Sequence, residues 1–79
     1  MKLAGVVVLY NPDQKVLDNI SSYIDELDVL YLVDNSSVDN SKFFLNDKFE
    51  YIPLLKNTGI AHALNVGAKK ALDSNYKYL

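Results

Sequence analysis

The sequence predicts an α/β fold in which a parallel β-sheet carries helices on both faces. Three observations support this. β-type and helical runs alternate along the chain, in the order β-α-β-α-β-α-β. The first run, Leu3 to Tyr10, is apolar at successive positions and rich in Val, as in a strand covered on both sides. The last helical run, Ile60 to Leu72, carries Ala and Gly at the spacing that would let it lie close to a sheet. Such alternation, with right-handed crossovers, makes a doubly wound sheet.

Each element has its own signals. Asn11-Pro12-Asp13-Gln14 reads as a helix start, with Asn11 as cap and Pro12 in the first helical position. Val16, Leu17, Ile20, Ile24 and Leu27 then form an apolar stripe at helical spacing, ended by Asp28. Val29 to Val33 is a second strand, stopped by the turn cluster Asp34-Asn35-Ser36-Ser37. Asp39 to Asn46 is expected as a short helix that docks Phe43, Phe44 and Leu45 on the sheet. Tyr51 to Leu55 is a third strand, and Pro53 assigns it to an edge. Lys56-Asn57-Thr58-Gly59 is a loop. The inner face of the last helix is expected to hold Ile60, Ala61, Ala63, Leu64, Gly67, Ala68, Ala71 and Leu72. Tyr76 to Leu79 reads as the start of a fourth strand.

Composition narrows the function classes. The chain has 79 residues, 49% of them hydrophobic, which is a globular composition for at most one domain. It has no cysteine, so neither a disulfide nor a thiolate-held zinc can form. His62 is the single histidine, which excludes a histidine-based metal cluster. Eight lysines, no arginine and ten acids give a net charge of −2, which argues against a nucleic-acid partner. The apolar run after Lys2 is too short for a signal peptide and is closed by Asn11-Pro12-Asp13. No stretch reaches the ~18 apolar residues of a membrane span. The expectation is a soluble, cytoplasmic single unit.

In open α/β sheets, ligands bind beyond the carboxyl ends of the strands. Tyr10-Asn11, Asp34 to Ser37, and Lys56 to Gly59 should meet there. The Asp34 carboxylate could accept hydrogen bonds from a base or ribose, or could simply make a side-chain turn with Asn35. Gly59 permits positive φ or close backbone approach before a helix start that favours anions. An ordinary turn capped by Asn57 or Thr58 is the plainer alternative. Asn65 lies on the polar side of the last helix, where it would bond to a neighbouring loop or face solvent. Lys56 reads as a solvated lysine, and His62 as an exposed or capping residue. Glu26-Leu27-Asp28 lies at the opposite sheet edge and reads as a solvated helix end. Tyr23 and Tyr31 read as half-buried core.

Three strings resemble the amino-terminal part of family 2 glycosyltransferases, nearest their bacterial rhamnosyltransferase-like branch. They are Val6 to Pro12, Leu32 to Ser37, and Asn57 to Gly67. Each is weak alone; their order and spacing give the likeness, which runs over essentially the whole chain. The resemblance implies the amino-terminal half of a GT-A fold, a Rossmann-like three-layer parallel sheet. It implies that residues 1–79 are the nucleotide-sugar-binding part of the domain, ending before its metal-binding motif. Tyr10, Asn11, Asp34 and Asn35 would hold the base and ribose. Asn57, Gly59 and Asn65 would shape the nucleotide pocket. The partner implied is a UDP- or dTDP-sugar, transferred with inversion to a polysaccharide or lipid-linked acceptor. A divalent ion, Mg or Mn, is expected for the complete enzyme, with its ligands absent from this chain, as is the catalytic base. The chain alone is therefore expected to be inactive. The parent would work at the inner face of the membrane, and an exposed edge of the first strand could pair two copies. A non-catalytic nucleotide- or partner-binding module is the alternative from another class. A receiver-like signalling unit would need an acidic cluster after the first strand, and Tyr10-Asn11-Pro12 does not supply one.

Overall fold

A computed structural model of the chain describes residues 3–73 and 77–78. Four strands form one sheet: β1 (Leu3–Leu9), β2 (Val29–Asp34), β3 (Phe49–Pro53) and β4 (Lys77–Tyr78). Their order is β3-β2-β1-β4, and every pairing is parallel. β2 is buried along its whole length, as expected of an apolar interior strand. β3 lies at the sheet edge, where Pro53 costs no ladder bond. β4 pairs with Leu3 and Ala4 of β1. Tyr76 and Leu79, expected in the same strand, lie outside the described residues.

Two helices flank the sheet: α1 (Gln14–Ser21) and α2 (Ile60–Asp73). Apolar clusters occupy both sheet faces. On one, Leu9, Leu30 and Leu32 meet Ile20, Ile24, Leu27 and Phe44. On the other, Ala4, Val29 and Tyr31 meet Ala71 of α2. The architecture is thus a small α/β unit with a parallel sheet. Among the described residues, no helix is long and apolar enough to cross a membrane.

Several local expectations need correction. Asn11 does not cap α1; Asp13 does, its side chain accepting the Val16 N–H at 3.3 Å. Asn11 instead takes a positive φ of 45°, a left-handed conformation that Asn tolerates, and Pro12 precedes the cap. Nor does the helix run to Leu27. The Ser21 hydroxyl bonds back to the Leu17 carbonyl at 2.9 Å and that of Ser22 to the Asn19 carbonyl at 2.6 Å. Such back-bonding competes with the helical ladder. A 3₁₀ turn at Ile24–Glu26 follows, and it still buries Ile24 and Leu27.

The helix expected over Asp39 to Asn46 shrinks to a 3₁₀ turn at Ser41–Phe43. Here side chains capture the backbone donors: Asp39 takes the Ser41 N–H at 2.7 Å, and Asn46 that of Lys48 at 2.8 Å. Only Phe44 docks, stacked on Tyr51 with ring centroids 5.9 Å apart; Phe43 and Leu45 are exposed. The inner row of α2 is narrower than expected. Ala63, Gly67 and Ala71 are buried, while Ile60, Ala61, Leu64 and Leu72 are exposed. The reason is proximity: a Cβ on Gly67 would lie 2.3 Å from Val6 Cγ1 and 3.1 Å from Val33 Cγ2. Only small residues fit in a row so close to the sheet.

Asp28 is not merely a solvated acid. Its carboxylate accepts the Leu3 N–H at 2.6 Å and its own N–H reaches the Leu3 carbonyl at 2.8 Å, closing the amino end of the β1–β2 pair.

Candidate functional site

Register brings the strand ends together: Leu9 lies opposite Asp34, and Asp34 opposite Pro53. The loops that follow are joined by hydrogen bonds. The Asn11 N–H donates to the Ser36 hydroxyl at 2.7 Å, linking the first loop to the second. Asn35 links the second to the third. Its Nδ2 donates to the Gly59 carbonyl at 3.2 Å, and its Oδ1 accepts from the Thr58 hydroxyl at 2.9 Å and the Thr58 N–H at 3.3 Å. The three turns do meet at the carboxyl edge.

Between them lies a cavity of about 390 Å³, lined by Val8, Tyr10, Asn35, Asn57, Ile60 and Leu64. Three expected site residues, Tyr10, Asn35 and Asn57, stand in its wall. None of the six side chains is charged. The apolar part comes from the end of β1 and from the exposed side of α2, including Ile60 and Leu64. A larger cleft of about 550 Å³ runs along β1 towards Lys15, Asn19 and Tyr23 of the α1 side, and Val8 and Tyr10 border both. It follows the flank of the strand, whereas the smaller cavity sits at the junction of the three loops.

Asp34 is outside this wall and 1% exposed; by strand alternation it shares the face of Leu30 and Leu32, where Phe44 and Tyr51 pack. Its Oδ1 accepts the Ser36 N–H at 2.9 Å; its Oδ2 accepts Asn40 Nδ2 at 2.8 Å and the Tyr51 hydroxyl. Burial alone would raise its pKa, but the bonds from Ser36, Tyr51 and Asn40 outweigh it and hold the carboxyl below its ordinary range. Burial, then the bond to Asp34, pushes the Tyr51 hydroxyl up to about 12, so it stays a proton donor at neutral pH. The side-chain turn weighed as an alternative role for Asp34 is what its carboxylate makes. It shapes the loop from Asn35 to Asn40 through its bonds to Ser36 and Asn40.

The remaining expected residues are spread around the site. Asn11 is exposed at the loop junction, and Gly59 takes φ +88° with open space where a Cβ would be. The Asn57 Oδ1 accepts the Gly59 N–H at 3.0 Å, a tight side-chain turn just before α2. The first α2 ladder bond runs from Ala63 N–H to the Gly59 carbonyl at 3.2 Å, so the N–H groups before it lack intrahelical acceptors. Asn65 is exposed one position past Leu64 and is not part of the cavity wall. His62 and Lys56 are also exposed.

Sequence reasoning missed the supports: Ser36, Asn40, Tyr51 and Thr58. Ser36 and Thr58 stood inside the expected turns, as polar residues able to bond across loops. Asn40 and Tyr51 carried no local signal, because their roles arise only when β3 places Tyr51 beside the end of β2. The apolar wall was also misassigned, since Ile60 and Leu64 were expected against the sheet. Comparison with protein-family models, with curated proteins and with solved structures finds no match to this chain.

Proposed function

We propose that this chain binds the nucleotide of a nucleotide-diphosphate sugar, as the donor-recognition half of a Rossmann-like, three-layer GT-A domain. The motif order in the sequence suggests an inverting family 2 glycosyltransferase as the parent. One observation carries the binding assignment: a neutral, mostly apolar cavity with convergent amide groups, set at the carboxyl edge of a parallel sheet. A planar base suits it. Val8, Ile60 and Leu64 supply apolar contact, and Tyr10 an aromatic face. The Asn57 Nδ2 group, whose Oδ1 is held by Gly59, and the second Nδ2 hydrogen of Asn35 supply donors to base or ribose oxygens. Asp34 acts indirectly: its carboxylate takes the Ser36 N–H and the Asn40 side chain, fixing the loop that carries Asn35.

The resemblance also implies a divalent ion. The described residues contain no group of three or more His, Cys, Asp or Glu side chains that could hold one. The cavity wall has no carboxylate to serve as a base. The role proposed for these residues is donor binding; transfer chemistry is assigned to the parent protein.

Calorimetric titration with UDP and dTDP, with and without magnesium, tests the reading. Micromolar binding is expected, weakened by Tyr10→Ala and by Asn57→Ala. Loss of a base-stacking aromatic costs about 1–3 kcal/mol, or roughly 5- to 150-fold in affinity. Absence of binding at millimolar nucleotide would overturn it.

A further inference from the structure

We propose that Tyr51 is a positioning residue of the cavity: its hydroxyl locks the loop that presents Asn35, although Tyr51 forms no part of the cavity wall. The geometry is a three-point clasp. The hydroxyl donates to Asp34 Oδ2 and accepts the Asn40 N–H at 2.8 Å. Asn40 closes the ring by donating from Nδ2 to the same Asp34 oxygen. The clasp therefore ties the end of β2 to the far end of its following loop, six residues later. Asn35 and Ser36 lie inside that span. Their side chains make the bonds to Thr58, Gly59 and Asn11 that join the three loops. A hydroxyl contributed by the edge strand thus governs a cavity built on the other side of β2.

The ring has a separate task. It stacks on Phe44 and belongs to the apolar cluster on one sheet face. Removing the hydroxyl alone leaves that packing intact, which separates positioning from core stability. The other charge acting on the Tyr51 hydroxyl is Asp39, which is also influenced by Asp34. Asp39 is exposed and remains in every variant considered.

The inference rests on the cavity being a nucleotide site, and the test distinguishes the two. Tyr51→Phe is compared with wild type and with Glu50→Gln, an exposed neighbour on β3. Amide exchange at Ser36 and Asn40, the Asn35 side-chain resonances and the titration of the Asp34 carboxyl are followed by NMR in the ligand-free chain. UDP affinity is measured separately. In Tyr51→Phe, faster exchange at Asn40, shifted Asn35 side-chain signals and a raised Asp34 pKa are expected. UDP affinity should fall about two- to thirty-fold, the range for residues that act through a packed network. Glu50→Gln should change none of these. If Asn35 and Asn40 in Tyr51→Phe match wild type, or if affinity is unchanged while wild type binds UDP, the positioning role is overturned. If wild type binds no nucleotide, the functional reading fails, and the loop signals alone decide whether the clasp exists. Should Tyr51→Phe prove too unstable, Asn40→Ala breaks the same clasp from its other side and should give the same pattern at Asn35.

Discussion

Gly67→Ala is a direct test of how α2 is held against the sheet, and hence of where the cavity wall stands. Two effects oppose each other. Alanine in a helix interior is favoured over glycine by about 1 kcal/mol. Against this, the new Cβ would sit 2.3 Å from Val6 Cγ1 and 3.1 Å from Val33 Cγ2. Optimal carbon contacts lie at about 3.5–4.0 Å, so either Val6 moves by roughly 1 Å or α2 retreats. Overpacking of this kind costs about 1–3 kcal/mol, and two short contacts place it at the upper end. The net expectation is a loss of about 1–2 kcal/mol. In a chain of this size that lowers Tm by roughly 5–15 °C. Urea and thermal denaturation followed by circular dichroism would measure it. A double-mutant cycle with Val6→Ala gives the sharper reading, because removing Cγ1 abolishes the shorter contact. Gly67→Ala should then cost less than in wild type, or stabilise. Equal effects in the two backgrounds, or a Gly67→Ala chain more stable than wild type, would refute the packing argument.

Other perturbations reach the loops directly. Asp34→Ala leaves the Ser36 N–H, Asn40 Nδ2 and Tyr51 hydroxyl without their shared acceptor, so urea denaturation should show a loss of about 3 kcal/mol or more. The folded-state pKa of Asp34 is depressed. Its stabilisation is therefore full above the ordinary carboxyl range near ~4 and is lost as pH falls through the lower folded value. Asp39 is held low as well, by its bonds from Ser41, so acid titration of stability should show a shallower limb in Asp34→Asn than in wild type. Tyr51 has the opposite direction, its pKa raised from 10.0 to about 12. Its contribution is complete below the unfolded value and is lost between these two pH values; burial raises Tyr23 as well, so the urea midpoint should fall more in wild type than in Tyr51→Phe over that range. Gly59→Ala meets no steric contact but must adopt φ +88°, so it should cost about 1–2 kcal/mol; Gly59→Asn should cost less.

Much of the fold is legible in the sequence because period and burial agree there. The apolar runs of β1 and β2, the stop at Asp34-Asn35-Ser36-Ser37 and the edge position signalled by Pro53 all follow from local chemistry. The short 3₁₀ turn after Asp39 is not legible, because Asp39 and Asn46 turn their side chains onto nearby backbone N–H groups, a competition that apolar spacing does not register. The width of the buried α2 face is illegible for a different reason. Ile60 and Leu64 have the right period to be buried, but the close approach at Gly67 admits only the Ala63-Gly67-Ala71 row and leaves the large residues beside the cavity. At the site, the three turns and their meeting were legible from topology alone. The Asp34 side-chain turn is among the alternatives that the sequence offers; its bonds to Asn40 and Tyr51 are not legible there, because Tyr51 comes from another strand 17 residues away.

NMR mapping of UDP binding on the isotope-labelled chain tests the central claim most directly. A nucleotide in the proposed cavity should shift Tyr10, Asn35, Asn57, Ile60 and Leu64, at either end of β1–β2 only the carboxyl end, with saturation in the micromolar range. Shifts confined to the Lys15–Tyr23 cleft, or no saturable shift at millimolar UDP or dTDP, would contradict it.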